Sequence, residues 1–180
     1  MTRRKLAAGL LIGALCIAAC GSSTSTGETS VTSADPTQLE QKLQSKPSLE
    51  TAQTDYQAAV QKMAAAIAAL TPGTTWQIEQ TTWVGCGGDY AQTKGKQAYV
   101  MAVFSGPIPD NVWPQAVQIV KDGAAQQGAT EFGTFKDNPG DHDIYIAGPD
   151  GVEFRLGTQK ASTLTAKSDC RLSQADAAPR

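Results

Sequence analysis

The side chains that could do chemistry are few: one histidine, His142, and four cysteines, Cys16, Cys20, Cys86 and Cys170. His142 stands in the densest polar run of the chain, Asp137-Asn138-Pro139-Gly140-Asp141-His142-Asp143. A histidine held by a carboxylate can take a proton from a hydroxyl, so a hydrolase would use His142 with Asp141 or Asp143. No serine is marked as its partner, and neither a G-x-S-x-G elbow nor an S-x-x-K pattern occurs. The same run offers oxygen ligands at alternate positions, as a calcium loop does. It fails that pattern, because Pro139 stands where a third oxygen should be and no glutamate follows at the twelfth place. A solvated turn between strands is the better reading. With a single histidine, zinc fits poorly, and no metal or cofactor is expected.

The first twenty residues account for two cysteines, Cys16 inside an apolar run that is cut away and Cys20 at its end. Arg3, Arg4 and Lys5 precede an apolar run from Leu6 to Ile17, and Ile17-Ala18-Ala19-Cys20 closes it. This is the layout of an export signal, and at about twelve residues the run is shorter than the ~20 a spanning helix needs. The IAAC tetrad resembles a bacterial lipobox, in which the cysteine is acylated before cleavage on its N-terminal side. Residues 1–19 are then a signal peptide, and the protein is exported and held to the outer face of the cytoplasmic membrane by lipid on Cys20. An ordinary signal peptide cut near Ala19 is the alternative.

The mature chain carries 12 basic against 17 acidic groups, a formal charge of −5. That balance argues against nucleic acid as a partner and against a basic patch as the membrane contact. Residues 20–47 read as the lipidated cysteine and a flexible tether. Gly21 to Thr37 are almost all Ser, Thr, Gly and small residues. As a random coil this stretch spans roughly 20–25 Å.

Two thiols remain. Outside the cytoplasm, Cys86 and Cys170 are most simply a disulfide, closing a loop of 84 residues. The alternative makes Cys86, in Gly85-Cys86-Gly87-Gly88, a nucleophile served by His142, and those glycines could also form an anion nest. A turn that needs positive φ explains the glycines as well.

Around these residues a single domain is expected over 48–172, with a flexible tail at 173–180. Leu49, Ala52, Tyr56, Val60, Met63, Ile67 and Leu70 form one helical stripe, with Ser48 as N-cap and Thr71-Pro72-Gly73 as the stop. Core packing accounts for this stripe better than a lipid-binding or coiled-coil face. Trp76, Ile78 and Trp83 alternate as a strand. From Gln97 to Phe104 both faces are apolar, as in a strand covered on both sides or lining a cavity. A second helix is expected from about Asp110, as N-cap, to Gln127, ended by Gly128. Strands follow near 130–135, 142–147, 152–157 and 162–167, and Gly148-Pro149-Asp150-Gly151 turns a hairpin. The fold class is α+β: a mostly antiparallel sheet of about five strands packed against two helices, in the order α-β-β-α-β-β-β, with one disulfide.

Trp76, Trp83, Tyr99, Met101 and Trp113 are the candidates to line a ligand cavity, although large aromatics usually serve the core.

The second half resembles a known family. Ala116 with Ile119-Val120-Lys121, Gly128-Ala129-Thr130, the strand Gly151-Val152-Glu153-Phe154-Arg155-Leu156 and the terminal Ser168-Asp169-Cys170 look like mycobacterial LppA-type lipoproteins. The Ala-rich helix ending in Pro72-Gly73, Trp76 and the mid-chain Cys86 agree, so the likeness covers about 48–172. It implies an envelope lipoprotein with a paired cysteine and carries over no catalytic residue.

These readings converge on a monomeric, non-enzymatic binding module. Its partners would be the membrane through Cys20 and an envelope protein or an amphipathic, lipidic ligand. A hydrolase using His142 and a purely structural, host-facing surface lipoprotein are the alternatives.

Overall fold

The computed structural model describes residues 35–177. The signal peptide, Cys20, the tether up to residue 34 and the last three residues of the tail lie outside them. The described elements are α1 (Pro36–Gln44), α2 (Leu49–Ala69), β1 (Trp76–Gly85), β2 (Lys96–Phe104), α3 (Trp113–Ala125), β3 (Glu131–Asn138), β4 (Asp141–Ala147), β5 (Glu153–Thr158), β6 (Ser162–Lys167) and α4 (Gln174–Ala177). Short 3-10 turns stand at Gly88–Gln92 and Pro149–Gly151. The strands make one six-stranded sheet in the order β1-β2-β6-β5-β4-β3, antiparallel at every step. The class is α+β as expected, with six strands in place of about five. All four segments after α3 are strands, and β3 is an edge that pairs with β4 alone.

Helix α2 starts where capping chemistry puts it. Ser48 is extended and its hydroxyl accepts from the Thr51 N–H at 3.3 Å, with Glu50 in the first turn. The chain leaves the helix through Gly73 at φ 86°. Leu49, Ala52, Tyr56, Val60, Met63, Ala64 and Ile67 are buried. They pack on the face of β2 that carries Ala98, Val100, Ala102 and Phe104. Tyr56 stacks on the fully buried Phe154 of β5, ring centroids 5.6 Å apart. Helix α3 adds Trp113, Ala116, Val120 and Ala124 to the same layer. Gly123 lets it approach α2, since a Cβ there would run into Met63.

Four expectations are corrected. The segment up to 47 is not all tether: Asp35 caps α1, and Leu39 and Leu43 are buried. Within the expected tail, Gln174–Ala177 form α4. The N-cap of α3 is Val112 and not Asp110, whose carboxylate faces the β3–β4 turn. Finally, β2 is covered by helices on one face only. Tyr99, Met101 and Val103 are half-buried on the other face, opposite Lys167, Thr165 and Thr163 of β6.

A second, smaller cluster joins Leu43, Cys170 and Leu172 to Cys86 and Tyr90. It ties α1, the loop after β1 and the C-terminal segment together beside the disulfide.

Candidate functional site

His142 is buried beneath the β3–β4 turn, its ring stacked on Trp113 at 4.9 Å between centroids. Both ring nitrogens face carboxylates. Nδ1 lies 2.9 Å from Asp137 Oδ1, and Nε2 lies 2.9 Å from Asp110 Oδ1. Asp110 Oδ1 also accepts from the backbone N–H of Gly140 at 2.9 Å. That backbone bond, and then the imidazole, hold the Asp110 carboxyl below its ordinary value. The neighbours expected to assist the histidine point elsewhere. Asp141 pairs with Lys136 at 3.2 Å, and Asp143 pairs with Arg155. In this arrangement neither imidazole nitrogen is open to a substrate hydroxyl, and His142 acts as a bracket between the β3–β4 hairpin and the loop before α3. The oxygens of the acidic run diverge to His142, Lys136 and Arg155, and among the described residues no three potential ligands form a metal site.

Cys86 and Cys170 form the disulfide, with Cα atoms 5.8 Å apart, inside the usual range. A nucleophilic Cys86 is thereby overturned, because the sulfur is bonded to its partner.

The five cavity candidates are not brought together. Trp113 lies under His142, and Trp76 packs on the edge of the main core. Trp83 is half-exposed, donates to Gln53 of α2 at 2.7 Å and has Lys96 over its ring. Trp76 and Trp83 are on the helix-covered face, as their pairing with Phe104 and Ala98 requires, and Trp113 belongs to α3 in the same layer. Tyr99 and Met101 are on the open face, where the Tyr99 hydroxyl lies 3.9 Å from the Met101 sulfur.

The open face carries a group that the sequence reading missed. Phe135 stands on it in phase with Gly133, 57% exposed, and the register shift between Thr134 and Lys136 sets Lys136 on the same face. The Phe135 and Tyr145 rings lie 4.9 Å apart, and the Arg155 guanidinium sits 4.8 Å above Phe135. Asp143 fixes that guanidinium through a 2.7 Å bond from Nε and a second bond from Nη2. The hydrogen bonds to Asp143 hold the Arg155 pKa above its ordinary value. Tyr145 in turn covers Gly133, where a Cβ would strike its ring. Beyond Arg155 the face continues through a shallow depression of about 400 Å³ lined by Tyr99, Glu153, Thr165 and Lys167.

A single antiparallel sheet backed by helices on one side and locked by one disulfide defines a one-faced α+β domain. Residues 26–174 match the family model LppA, described as a lipoprotein confined to pathogenic Mycobacterium. The chain therefore belongs to the LppA family, and with it to the lipoproteins of the cell envelope. The LppA crystal structure from Mycobacterium tuberculosis superposes with a TM-score of 0.68 at 22% identity, covering 79% of this chain and 89% of that one. A DUF4853 family protein from Actinomyces odontolyticus ATCC 17982 gives 0.52 at 15% identity, covering 72% of each. At such identities the likeness is one of fold. No curated protein matches the chain.

Proposed function

We propose that the mature protein is acylated on Cys20, held on the outer face of the cytoplasmic membrane, and docks a partner protein through the open face of its sheet without catalysing a reaction. The observation that carries this reading is the Phe135–Tyr145–Arg155 group, exposed yet fixed in place by Asp143 and Gly133. Interface hot spots are rich in tyrosine and arginine, and a side chain already ordered before binding loses less entropy on docking. The partner that fits is a protein offering an apolar side chain to Phe135 and Tyr145 and a carboxylate to the outer edge of Arg155. An antiparallel sheet with one solvated face is ordinary, so the ordered aromatic and arginine group carries the argument and not the bare face.

The test is photocrosslinking in a mycobacterial host, with benzoylphenylalanine in place of Phe135 or, as control, of the exposed Gln115 on α3. A discrete crosslinked species from position 135 alone supports docking, and equal labelling or none from both sites removes it. The anchor is tested separately: Cys20→Ala should move the protein from the membrane fraction to the soluble one.

A further inference from the structure

We propose that a pocket beside the disulfide binds a neutral, hydroxyl-rich ligand, a sugar ring. The pocket, of about 420 Å³, lies where the loop after β1 meets the β4–β5 turn, and Asp89, Tyr90, Gln97, Asp150 and Lys167 supply its side chains. That volume is within the roughly 300–1,000 Å³ of small-molecule sites.

Gln97 is the centre of the argument. Its side chain is buried, with the residue only 7% exposed. Nε2 donates to the carbonyls of Gly151 at 2.8 Å and Ser168 at 2.6 Å, which uses both amide hydrogens and fixes the amide plane. Oε1 accepts from no described residue, yet among the described residues no side-chain oxygen cut off from solvent lacks a partner. Oε1 therefore opens on the pocket that Gln97 lines, as an acceptor held ready for a donor. Gly151 makes the arrangement possible, since a Cβ there would stand 2.7 Å from Gln97 Nε2.

The rim is also built with effort. Asp150 is the described non-glycine residue with positive φ, at 55°, where glycine would sit at less cost. Its backbone oxygen accepts from Cys170 N at 3.3 Å, and its carboxylate accepts from Lys46 at 2.7 Å.

The charges choose the ligand class. Both nearby ammonium groups already have carboxylates: Lys46 lies between Asp150 and Asp169, and Lys167 pairs with Glu153 at 3.1 Å. Asp89 and Asp150 stand against Lys167 alone in the lining, so a phosphate or carboxylate would enter an unfavourable field. A hydroxyl can both donate to Gln97 Oε1 or Asp89 and accept from Lys167. The partly buried Tyr90, packed on the Leu43–Cys170 cluster, gives an apolar wall for the C–H face of a sugar ring.

The test uses the full-length chain in a detergent without a sugar headgroup. Saturation-transfer NMR is recorded with the methyl glycosides of glucose, mannose, galactose and arabinose, and with inorganic phosphate monitored by phosphorus NMR. Transfer to at least one glycoside is expected, weakened roughly tenfold by Asp89→Ala or Lys167→Met, as loss of a charged hydrogen bond implies. Arg155→Ala, on the docking face, should leave it unchanged, and Asp89→Ala, whose residue lines this pocket and not the docking face, should leave crosslinking from position 135 unchanged, so the two sites fail independently. The proposal is overturned if no glycoside receives transfer, if transfer survives both pocket variants, or if phosphate binds in place of the sugars.

Discussion

Asp110 and His142 are joined across 32 residues by a 2.9 Å contact that the chain pattern does not announce. It links the loop leaving β2 to the turn between β3 and β4, and the stack on Trp113 closes the bracket from below. His142→Ala should lower stability by about 2 kcal/mol, from the lost stack and the two orphaned hydrogen bonds. Asp137→Ala should cost less than Asp110→Ala, because the Asp137 side chain is 76% exposed and lacks the second bond that Asp110 accepts from Gly140. Urea unfolding of the three variants orders them. A His142→Ala protein as stable as the parent contradicts the bracket.

The acid limb of stability should carry the mark of Asp110. Its folded pKa lies below the ordinary 3.8, first through the Gly140 N–H and then through His142. A depressed carboxyl stabilises the fold above its unfolded value, and this contribution disappears as pH falls through the lower, folded value. Asp110→Asn should therefore flatten the loss of stability below about pH 4 relative to the parent. Thermal melts between pH 2.5 and 6 check this, and parallel curves for the two proteins count against it.

Closing 84 residues, the disulfide should contribute about 4 kcal/mol by constraining the unfolded chain. Cys86→Ala with Cys170→Ala should lower the melting temperature by roughly 10–20 °C. Hydrogen exchange should rise first in α1 and in the loop at Gly88–Gln92, which rest on the same small cluster. Uniform loss of protection across the sheet instead would mean that this cluster is not a separate unit.

Much of this architecture is legible in the chain. The stripe from Leu49 to Ile67, the Ser48 cap and the Gly148–Gly151 turn follow from 3.6-residue periodicity and turn chemistry, and the structure places them where expected. Helix α1 was also readable: Asp35-Pro36 is a cap followed by a proline at the first helical position, with Leu39 and Leu43 four residues apart. The Ser/Thr-rich stretch before it masked that short signal. What could not be read is what non-local pairing creates. A bulge in β3 puts Lys136 on the same face as Phe135 and returns Asp137 to the side of His142, while Asp110 and the carbonyl partners of Gln97 come from segments far along the chain. Asp110 carried a misleading signal, since an acidic residue ahead of a helix reads first as its cap.

Gly133 should matter to docking without touching a partner. It sits on the edge strand beneath Tyr145, whose ring occupies the space a Cβ would need. Gly133→Val should displace Tyr145, and with it Phe135 and Arg155, for a stability change of about 1–2 kcal/mol. Crosslinking from position 135 should then fall as far as it does with Arg155→Glu. If the Gly133→Val protein crosslinks like the parent, the ordering of this group is irrelevant to recognition.

Tyr56 sets the alkaline limit. Burial against Phe154 is the largest influence on its phenol, with the nearby Asp169 carboxylate next, and together they push its pKa from 10.0 up to about 12. Lys46 shifts the same way: burial opposes its charge, but the bonds to Asp150 and Asp169 outweigh that and hold it above 10.5. In both cases the folded chain keeps a proton that the unfolded chain releases, so stability is intact below about pH 10 and declines as pH rises toward 12. Tyr56→Phe should remove the phenol from that balance and make the decline shallower, while Lys46→Met should lower stability at pH 7 and also flatten the alkaline limb. Chemical unfolding at pH 7, 9, 10 and 11 distinguishes the two. An alkaline slope in Tyr56→Phe as steep as the parent's would show that the buried phenol does not govern it.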